Sequence, residues 1–274
     1  MSERVAVRKT YKLYIGGKFP RSESGRSYIV QDANVALSSR KDARDAVVAA
    51  RAAVKGWAGA TAYNRGQVLY RVAEMLEGRR EQFVALGVSG EEVDAAIDRW
   101  VWYAGWSDKL AQVYGGANPV AGPYFNISAP EPTGVVAVVA PERPALLGLV
   151  SVIAPAIVSG NTIVVAASPA EPLAAITLAE VLATSDLPGG VVNLLTGKIS
   201  ETVPTLAAHM DVNAIDLTGV ADAGLAAELE IKAAENLKRV LRPVPADHDW
   251  FADPGVTRMT TLLETKTVWH PKGV

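Results

Sequence analysis

The sequence predicts an α/β fold built on a parallel sheet with helices on both faces, and three observations support this. Four short apolar runs lack the polar alternation of a half-solvated strand, as is typical of strands buried on both faces. They are Val135–Ala140, Thr162–Ala166, Val191–Leu195 and Ala214–Leu217. Helical segments separate these runs, at about 143–159, 172–184, 199–208 and 222–240. Repeated strand–helix units with right-handed crossovers give a Rossmann-like domain.

The composition is that of a soluble globular protein with one large domain or two modest ones. The 274 residues are 49% hydrophobic and 20% charged, and the formal net charge is -2. The basic residues are scattered, so we expect neither nucleic acid nor an anionic membrane as a partner.

Cysteine is absent from the sequence. This excludes disulfides, thiolate metal sites, iron–sulfur clusters and a thiol nucleophile within the chain. The stretch from Met1 to Gly17 has no apolar core of a secretory signal, and the apolar segment Ala145–Gly160 is too short to span a bilayer. We therefore expect a cytoplasmic protein.

The N-terminal half is predicted to hold one β element and three helices. Residues 11–31 contain two β-prone runs around Gly16-Gly17 and a polar turn, which predicts a hairpin-like element. Apolar residues at helical spacing predict helices over about 41–57, 63–85 and 91–113. Trp102 and Trp106 lie one turn apart on the third helix and predict a packing face, with an aromatic cation-binding box as the alternative.

Two segments that contain Pro and Gly are interpreted as connections, residues 115–134 and 241–256. The β-prone run Met259–Trp269 follows the second connection and has no hairpin partner next to it. A strand with unpaired edges needs a partner strand. That partner lies either in its own sheet or in a neighbouring subunit, and the residues do not decide between the two.

Ligands bind outside the carboxyl ends of strands in open parallel sheets, so the residues there form the candidate site. They are Glu142, Arg143, Ser168, Glu171, Thr196, Lys198, Thr218 and Asp222. None is a histidine, and the three histidines of the chain lack the spacing of metal ligands. The chain has no GxGxxG or GxSxG motif, and residues 190–198 resemble a P-loop only loosely, because Val192 replaces its first glycine. The residue pattern alone therefore predicts a dinucleotide-domain-like fold without an evident reaction.

Four longer strings occur in a characteristic order: EPTGVVAVVAPERPALL, APAIVSGNTIVVAASPAEPL, SDLPGGVVNLLTGK and IDLTGVADAG. Together they resemble the coenzyme-binding half of the NAD(P)-dependent aldehyde dehydrogenase superfamily. The helix AAIDRWVWYAGWSDKL and the closing ETKTVW fit the same family, with features of its sixteenth subfamily. The resemblance extends from about Tyr11 to Val274.

The resemblance also identifies losses at the site. The family follows its first strand with Pro-Trp-Asn, whose Asn helps to stabilise an oxyanion, whereas this chain has Pro141-Glu142-Arg143. The Lys and Glu that hold the adenosine ribose in the family are absent, and only Ser168 of their segment remains. The family's Thr-Gly-Ser turn at the pyrophosphate is Thr218-Gly219-Val220 here.

The resemblance therefore implies only a vestigial cofactor groove, formed by Ser168, Gly197, Thr218 and Gly219. Each charge-assisted hydrogen bond contributes roughly 1.5–3 kcal/mol, so losing two weakens binding by about two decades or more. We expect no cofactor and no metal, with weak NAD or NADP binding as the alternative.

Beyond Thr218 the family continues with a general-base Glu and, in a separate domain, the catalytic Cys. In this chain the predicted helix leads through the connector directly to the tail, which implies that the catalytic domain is missing. The remaining parts are a hairpin at 11–31, a coenzyme-domain-like α/β domain at 32–240, the connector at 241–256 and a C-terminal strand at 257–274. In the family, the hairpin and the terminal strand form the oligomerisation element.

The expected function is that of a catalytically inactive subunit, a pseudoenzyme, that stabilises or regulates a full-length aldehyde dehydrogenase. It would dock to that subunit, to itself, or to both, through Met259–Trp269 and the N-terminal hairpin. Two alternatives remain open. One is an NAD(P)-dependent aldehyde oxidoreductase completed by catalytic groups of a partner, and the other is a nucleotide-binding sensor.

Overall fold

The computed structural model describes residues 8–273. The start of the stretch inspected for a secretory signal, residues 1–7, and Val274 of the predicted C-terminal element lie outside the described residues. The helices are α1 (Arg40–Gly59), α2 (Ala62–Glu77), α3 (Arg80–Ala85), α4 (Gly90–Ala104), α5 (Leu110–Tyr114), α6 (Leu147–Val158), α7 (Pro172–Leu182), α8 (Ile199–Ala208), α9 (Ala223–Ala234) and α10 (Thr257–Thr261). The strands are β1 (Thr10–Tyr11), β2 (Ser27–Val30), β3 (Ala33–Ala36), β4 (Gly116–Asn118), β5 (Tyr124–Pro132), β6 (Val135–Val139), β7 (Thr162–Ala166), β8 (Val192–Leu195), β9 (Ala214–Asp216), β10 (Arg239–Leu241) and β11 (Leu263–Pro271).

The central sheet is parallel and confirms the predicted fold class. Its five strands lie in the order β10-β9-β6-β7-β8. Alternate residues of β6 belong to different apolar layers: Val136 and Val138 pack with residues of α2, α4, α6 and α7, while Val135 and Val139 pack with residues of α1, α8 and α9. Helices therefore cover both faces, as the unbroken apolar runs predict.

The four predicted strands are all present as β6, β7, β8 and β9, with ends shifted by one residue at most. The predicted helices over 63–85 and 91–113 are each divided in two, as α2 and α3 and as α4 and α5. Trp102 and Trp106 pack against the core with ring centroids 5.7 Å apart, which agrees with the predicted packing face.

The fifth strand, β10, is not predicted, because the sequence pattern continues a helix over 222–240. That prediction is wrong after Ala234, where α9 ends. Leu237 adopts a left-handed backbone conformation with φ of 58°, and the amide of Lys238 donates to the carbonyl oxygen of Ala233 at 3.1 Å. These features close the helix. A strand of three residues has no periodicity from which it could be recognised.

Leu237 is an unusual residue for this helix end, because its side chain is 90% exposed and its φ is positive. A left-handed conformation destabilises a residue with a Cβ by about 1 kcal/mol, but not glycine. We expect Leu237→Gly to raise the free energy of unfolding by about 0.5–1 kcal/mol in urea denaturation. Leu237→Ala is the control, since it keeps the Cβ and should gain nothing. Equal gains in both variants would assign the effect to the exposed side chain instead.

The N-terminal β element differs in detail from the hairpin predicted at 11–31. The predicted glycine turn is present between Ile15 and Lys18, but the longer hairpin joins β2 to β3 through Gln31 and Asp32, both at positive φ. Strand β1 pairs parallel with β3, which gives a small sheet in the order β1-β3-β2.

This element is attached to the edge of the central sheet. The backbone of Tyr14 donates to and accepts from Leu194 at 3.0 and 2.7 Å, so it extends the sheet beside β8. The buried side chain of Asn193 accepts from the amide of Gly16 at 2.9 Å and donates to the carbonyl oxygens of Ile163 and Gly190. These contacts attach the element to the central sheet of its own chain.

The C-terminal element is a helix followed by a strand, whereas the sequence predicts one strand over Met259–Trp269. Met259 lies in α10 and is fully buried. Strand β11 pairs antiparallel with β5 along nine residues, from Leu263 opposite Pro132 to Pro271 opposite Tyr124. Strand β5 lies in the segment that was interpreted as a connection. One side of the terminal strand is therefore paired within its own chain.

Candidate active-site edge and its internal occupants

The candidate site is the carboxyl edge of the central sheet. The sheet order places the strand ends in a row: Thr218-Gly219 after β9, Glu142-Arg143 after β6, Ser168 after β7 and Gly197 after β8. Two open clefts of about 530 and 430 Å³ flank Arg143. The strand ends thus come together as the fold predicts, with open space beside β6 and β9.

The larger cleft contains Glu92, Glu171 and His248 around Arg143. Arg143 donates from Nη2 to Oε1 of Glu171 at 2.7 Å, although its side chain is 77% exposed. An ion pair this exposed contributes little to stability. Arg143 after β6 is therefore an exposed cation in an ion pair. The resemblance places the neutral side-chain amide of an Asn at this position.

The smaller cleft runs between Thr218–Ala221 and the connector residues Pro243–Ala246. Trp250 lines both clefts. The connector therefore forms one wall of the space beside the β9 strand end.

Thr218 is already bound by a cation from the C-terminal element. Arg258 of α10 donates from Nη1 to Oδ2 of Asp216 at 2.9 Å and to Oγ1 of Thr218 at 2.7 Å. The hydroxyl of Thr218 donates in turn to Asp216. The side chain of Asp216 is 3% exposed and that of Arg258 is 17% exposed. We call Asp216, Thr218 and Arg258 the Arg258 cluster.

Gly219 packs so closely against β6 that no side chain fits there. Its amide donates to the carbonyl oxygen of Val139 at 2.9 Å. A Cβ at this position would overlap the carbonyl oxygen of Ala140 and lie 2.9 Å from the nitrogen of Pro141. Packing between neighbouring strands therefore explains this glycine without a ligand.

Ser168 and Gly197 also have local structural roles. Oγ of Ser168 accepts from the amides of Ala170 and Glu171 at 3.2 and 3.4 Å, which forms a turn before α7. Gly197 has a φ of 119°, and a Cβ there would lie 2.7 Å from Cδ1 of Leu37. The lining of the two clefts includes neither residue.

Two helix N-termini at this edge already hold carboxylates. Asp222 accepts from the amide of Leu225 at 2.6 Å at the start of α9. Glu92 of α4 accepts from the amides of Leu146 and Leu147 at 2.6 and 3.1 Å at the start of α6. Amides at helix N-termini are the usual donors to a phosphate group. A phosphate at either helix would have to displace a carboxylate of the chain itself.

The connector is fixed across this edge by the buried Arg99 of α4. Its guanidinium donates to the carbonyl oxygens of Trp250 and Ala252 at 2.8 and 3.1 Å and to Oγ of Ser151 at 2.9 Å. The buried ring of Trp250 lies 5.6 Å from the guanidinium carbon of Arg258. Arg99 therefore holds the connector over the Arg258 cluster.

The pKa values of two groups beside this cluster are shifted. Burial raises the pKa of Tyr103 to about 12, so its phenol stays protonated. Burial also lowers the pKa of His248, whose ring packs edge-on against Trp250 at a centroid distance of 4.5 Å.

Among residues 8–273, no cluster of three or more His, Cys, Asp or Glu could hold a metal ion, and no helix is long and apolar enough to cross a membrane.

Comparison with known proteins relates this site to a family. The model of the Aldehyde dehydrogenase family matches residues 30–245, which is more than half of the chain. The chain belongs to the aldehyde dehydrogenase family.

Curated relatives in the aldehyde dehydrogenase family are matched over about half their length. Cytosolic aldehyde dehydrogenase 1 of Elephantulus edwardii is 30% identical over 249 residues, which cover 84% of this chain and 49% of that protein. Human retinal dehydrogenase 2 is 30% identical over 252 residues, which cover 85% of this chain and 48% of that protein.

A solved structure shows the same fold. The NAD+ complex of aldehyde dehydrogenase from Bacillus cereus superposes with a TM-score of 0.79 at 25% identity, covering 85% of this chain and 50% of that one. The aldehyde dehydrogenase fold is therefore present in this chain over about half of the length found in these relatives.

The site residues that the sequence analysis missed are Glu92, Arg99, Asp216, Trp250 and Arg258. Only Asp216 carries a signal in the sequence, since it is a carboxylate inside an otherwise apolar strand. A buried carboxylate needs a partner, and that partner lies 42 residues further along the chain. The other four act through tertiary contacts that no local pattern encodes.

Proposed function

We propose that this chain is a non-catalytic member of the aldehyde dehydrogenase family that assembles with a full-length aldehyde dehydrogenase and stabilises or regulates it. Oxidation of an aldehyde through a covalent thioester needs a thiolate, a base and an oxyanion donor held together. The sequence contains no cysteine. At the end of β6 it has an arginine that is paired with Glu171.

The occupied donors at the strand ends also support a non-catalytic role. Thr218 is bound by Arg258, and the N-termini of α6 and α9 are bound by Glu92 and Asp222. A nucleotide would compete with these internal contacts for each of the donors that a pyrophosphate usually takes.

The observation that carries the assembly proposal is the sheet formed by β11, β5 and β4, in that order. Strand β11 lies at its edge, and within residues 8–273 no strand pairs with its outer side. Tyr124, Phe125, Ile127 and Trp269 are large apolar side chains exposed on this sheet. A nine-residue edge strand with exposed aromatic residues is suited to adding to the sheet of another subunit.

The experiment is to mix the purified chain with the full-length aldehyde dehydrogenase of the same host and to measure mass by light scattering after gel filtration. We expect a complex of fixed stoichiometry. Trp269→Glu should weaken the complex, because Trp269 is 57% exposed next to Tyr124 on the sheet formed by β11, β5 and β4. Phe251→Glu is the matched control, with 51% exposure on the connector. The proposal fails if the chain stays monomeric alone and in the mixture.

A second candidate function is nucleotide binding, which the cleft of about 430 Å³ beside Thr218 and Gly219 favours. It is separated from the first by calorimetric titration of the single chain with NAD, NADP, ATP and ADP. We expect no saturable heat, and no NAD(P)H formation from a panel of aldehydes. Saturable binding of one nucleotide would favour the sensor, and turnover only in the presence of the partner would favour the completed oxidoreductase.

A further inference from the structure

A third pocket lies in the N-terminal β element, on the face of the small sheet opposite to Tyr11 and Val35. The pocket has a volume of about 150 Å³. Its floor is one face of the sheet, formed by Thr10, Lys12, Ser27, Asn34 and Ala36. The register supports this, because Thr10 lies opposite Asn34, and Ser27 lies opposite Ala36. The other face, with Tyr11 and Val35, packs into the core.

Three cations line this pocket and no carboxylate does. They are Lys12, Arg21 and Arg26. Arg26 is held in place by Glu201, which accepts from both of its terminal nitrogens, and by Oγ of Ser24. Among the described residues, Lys12 and Arg21 form no ion pair. Two cations without an ion pair therefore share one small pocket with a third cation.

The wall of the pocket is a turn that the chain holds rigidly. The buried carboxylate of Asp42 accepts from Oγ of Ser22 at 2.7 Å and from the amide of Glu23 at 3.1 Å. The amide of Gly25 donates to the carbonyl oxygen of Ser22 at 2.9 Å, with Gly25 at positive φ. The turn that carries Arg21 and Arg26 is thus fixed before any ligand arrives, which reduces the entropy lost on binding.

We propose that this pocket binds a phosphate group, either as inorganic phosphate or as the end of a phosphate monoester. The volume of about 150 Å³ is large enough to hold one tetrahedral oxyanion. Arg and Lys provide charge-assisted donors, and the hydroxyls of Thr10 and Ser27 with the amide of Asn34 add neutral ones.

The test is calorimetric titration of the whole chain with inorganic phosphate at constant ionic strength, with sodium chloride as the reference salt. We expect saturable binding of phosphate and none of chloride. Arg21→Gln should raise the dissociation constant by about tenfold, since it removes one charge-assisted contact. Lys12→Gln combined with Arg21→Gln should abolish measurable binding.

The matched control is Lys18→Gln combined with Lys55→Gln, which removes the same charge from exposed lysines outside the pocket. It should change the dissociation constant by about twofold at most. A parallel titration with glycerol 3-phosphate separates the two sources. Binding of both ligands indicates that the opening of the pocket admits a phosphate monoester. Binding of inorganic phosphate alone indicates that the ligand is the free anion.

Absence of phosphate binding by the unmodified chain would overturn the proposal. It would also be overturned if the control variant lost as much affinity as the pocket variant, because the effect would then be one of net charge. Arg21 is exposed, so the Arg21→Gln variant alone keeps the test valid if the substitution of Lys12 disturbs folding.

Discussion

Replacing Arg258 by Met is expected to lower the free energy of unfolding by about 3 kcal/mol or more. The reason is that the carboxylate of Asp216 would lose its cationic partner in a site that is nearly inaccessible to water. Removing one partner of a buried ion pair is far more damaging than the pair's own contribution, because the remaining charge is left uncompensated. Equilibrium denaturation in urea, followed by tryptophan fluorescence, measures the effect.

Two further variants distinguish this mechanism from a general loss of packing. Arg258→Met combined with Asp216→Asn should recover a large part of the loss, because the amide oxygen can still accept from the amide of Thr218. Arg242→Met is the control, since its pair with Glu230 is exposed and should change stability by about 0.5 kcal/mol at most. If the double variant were no more stable than Arg258→Met, the buried charge would not be the cause.

Replacing Gly219 by Ala is expected to destabilise the fold by at least about 2 kcal/mol. The new Cβ would meet backbone atoms of Ala140 and Pro141, which cannot rotate away as a side chain could. The ends of β6 and β9 would have to separate, and the hydrogen bond from Gly219 to Val139 would weaken. Thermal and urea unfolding should both report the loss.

The control for this variant is Gly56→Ala in helix α1. A Cβ at Gly56 meets nothing within 4 Å, so the change should stabilise the helix by about 0.5–1 kcal/mol. Opposite signs for the two glycine substitutions are the expected result. If Gly219→Ala were tolerated as well as Gly56→Ala, close packing would not explain the glycine at the site.

The parallel sheet was predictable because its strands are continuous apolar runs bounded by Gly, Pro and polar residues. Strand β5 was not, since Pro130 and Pro132 and its polar residues suggest a connection. Its conformation depends on β11, which pairs with it along its whole length. Strand β10 was hidden in a helical pattern, and only its pairing with β9 makes it a strand.

The position of the candidate site was also predictable, since the carboxyl edge of a parallel sheet follows from strand direction alone. The internal contacts that occupy the site were not predictable. The hydrogen bonds of Arg258 to Thr218, and of Glu92 to Leu146, join segments 40 and 54 residues apart. Such contacts depend on how the helices pack, so a residue pattern can place Thr218 at the site without showing what binds it.

The pairing of β11 with β5 also affects how the chain is made on the ribosome. Ser128 and Thr267 lie opposite each other and are 139 residues apart in the sequence. At about 5–20 residues per second, the ribosome needs roughly 7–28 seconds to synthesise that interval. Throughout this time the emerging β5 has an open edge that another nascent chain could join. Pro130 and Pro132 do not protect this edge, because the amide of Thr133 points to Leu262 on the β11 side and successive amides of a strand alternate, which places the two missing donors on the opposite edge.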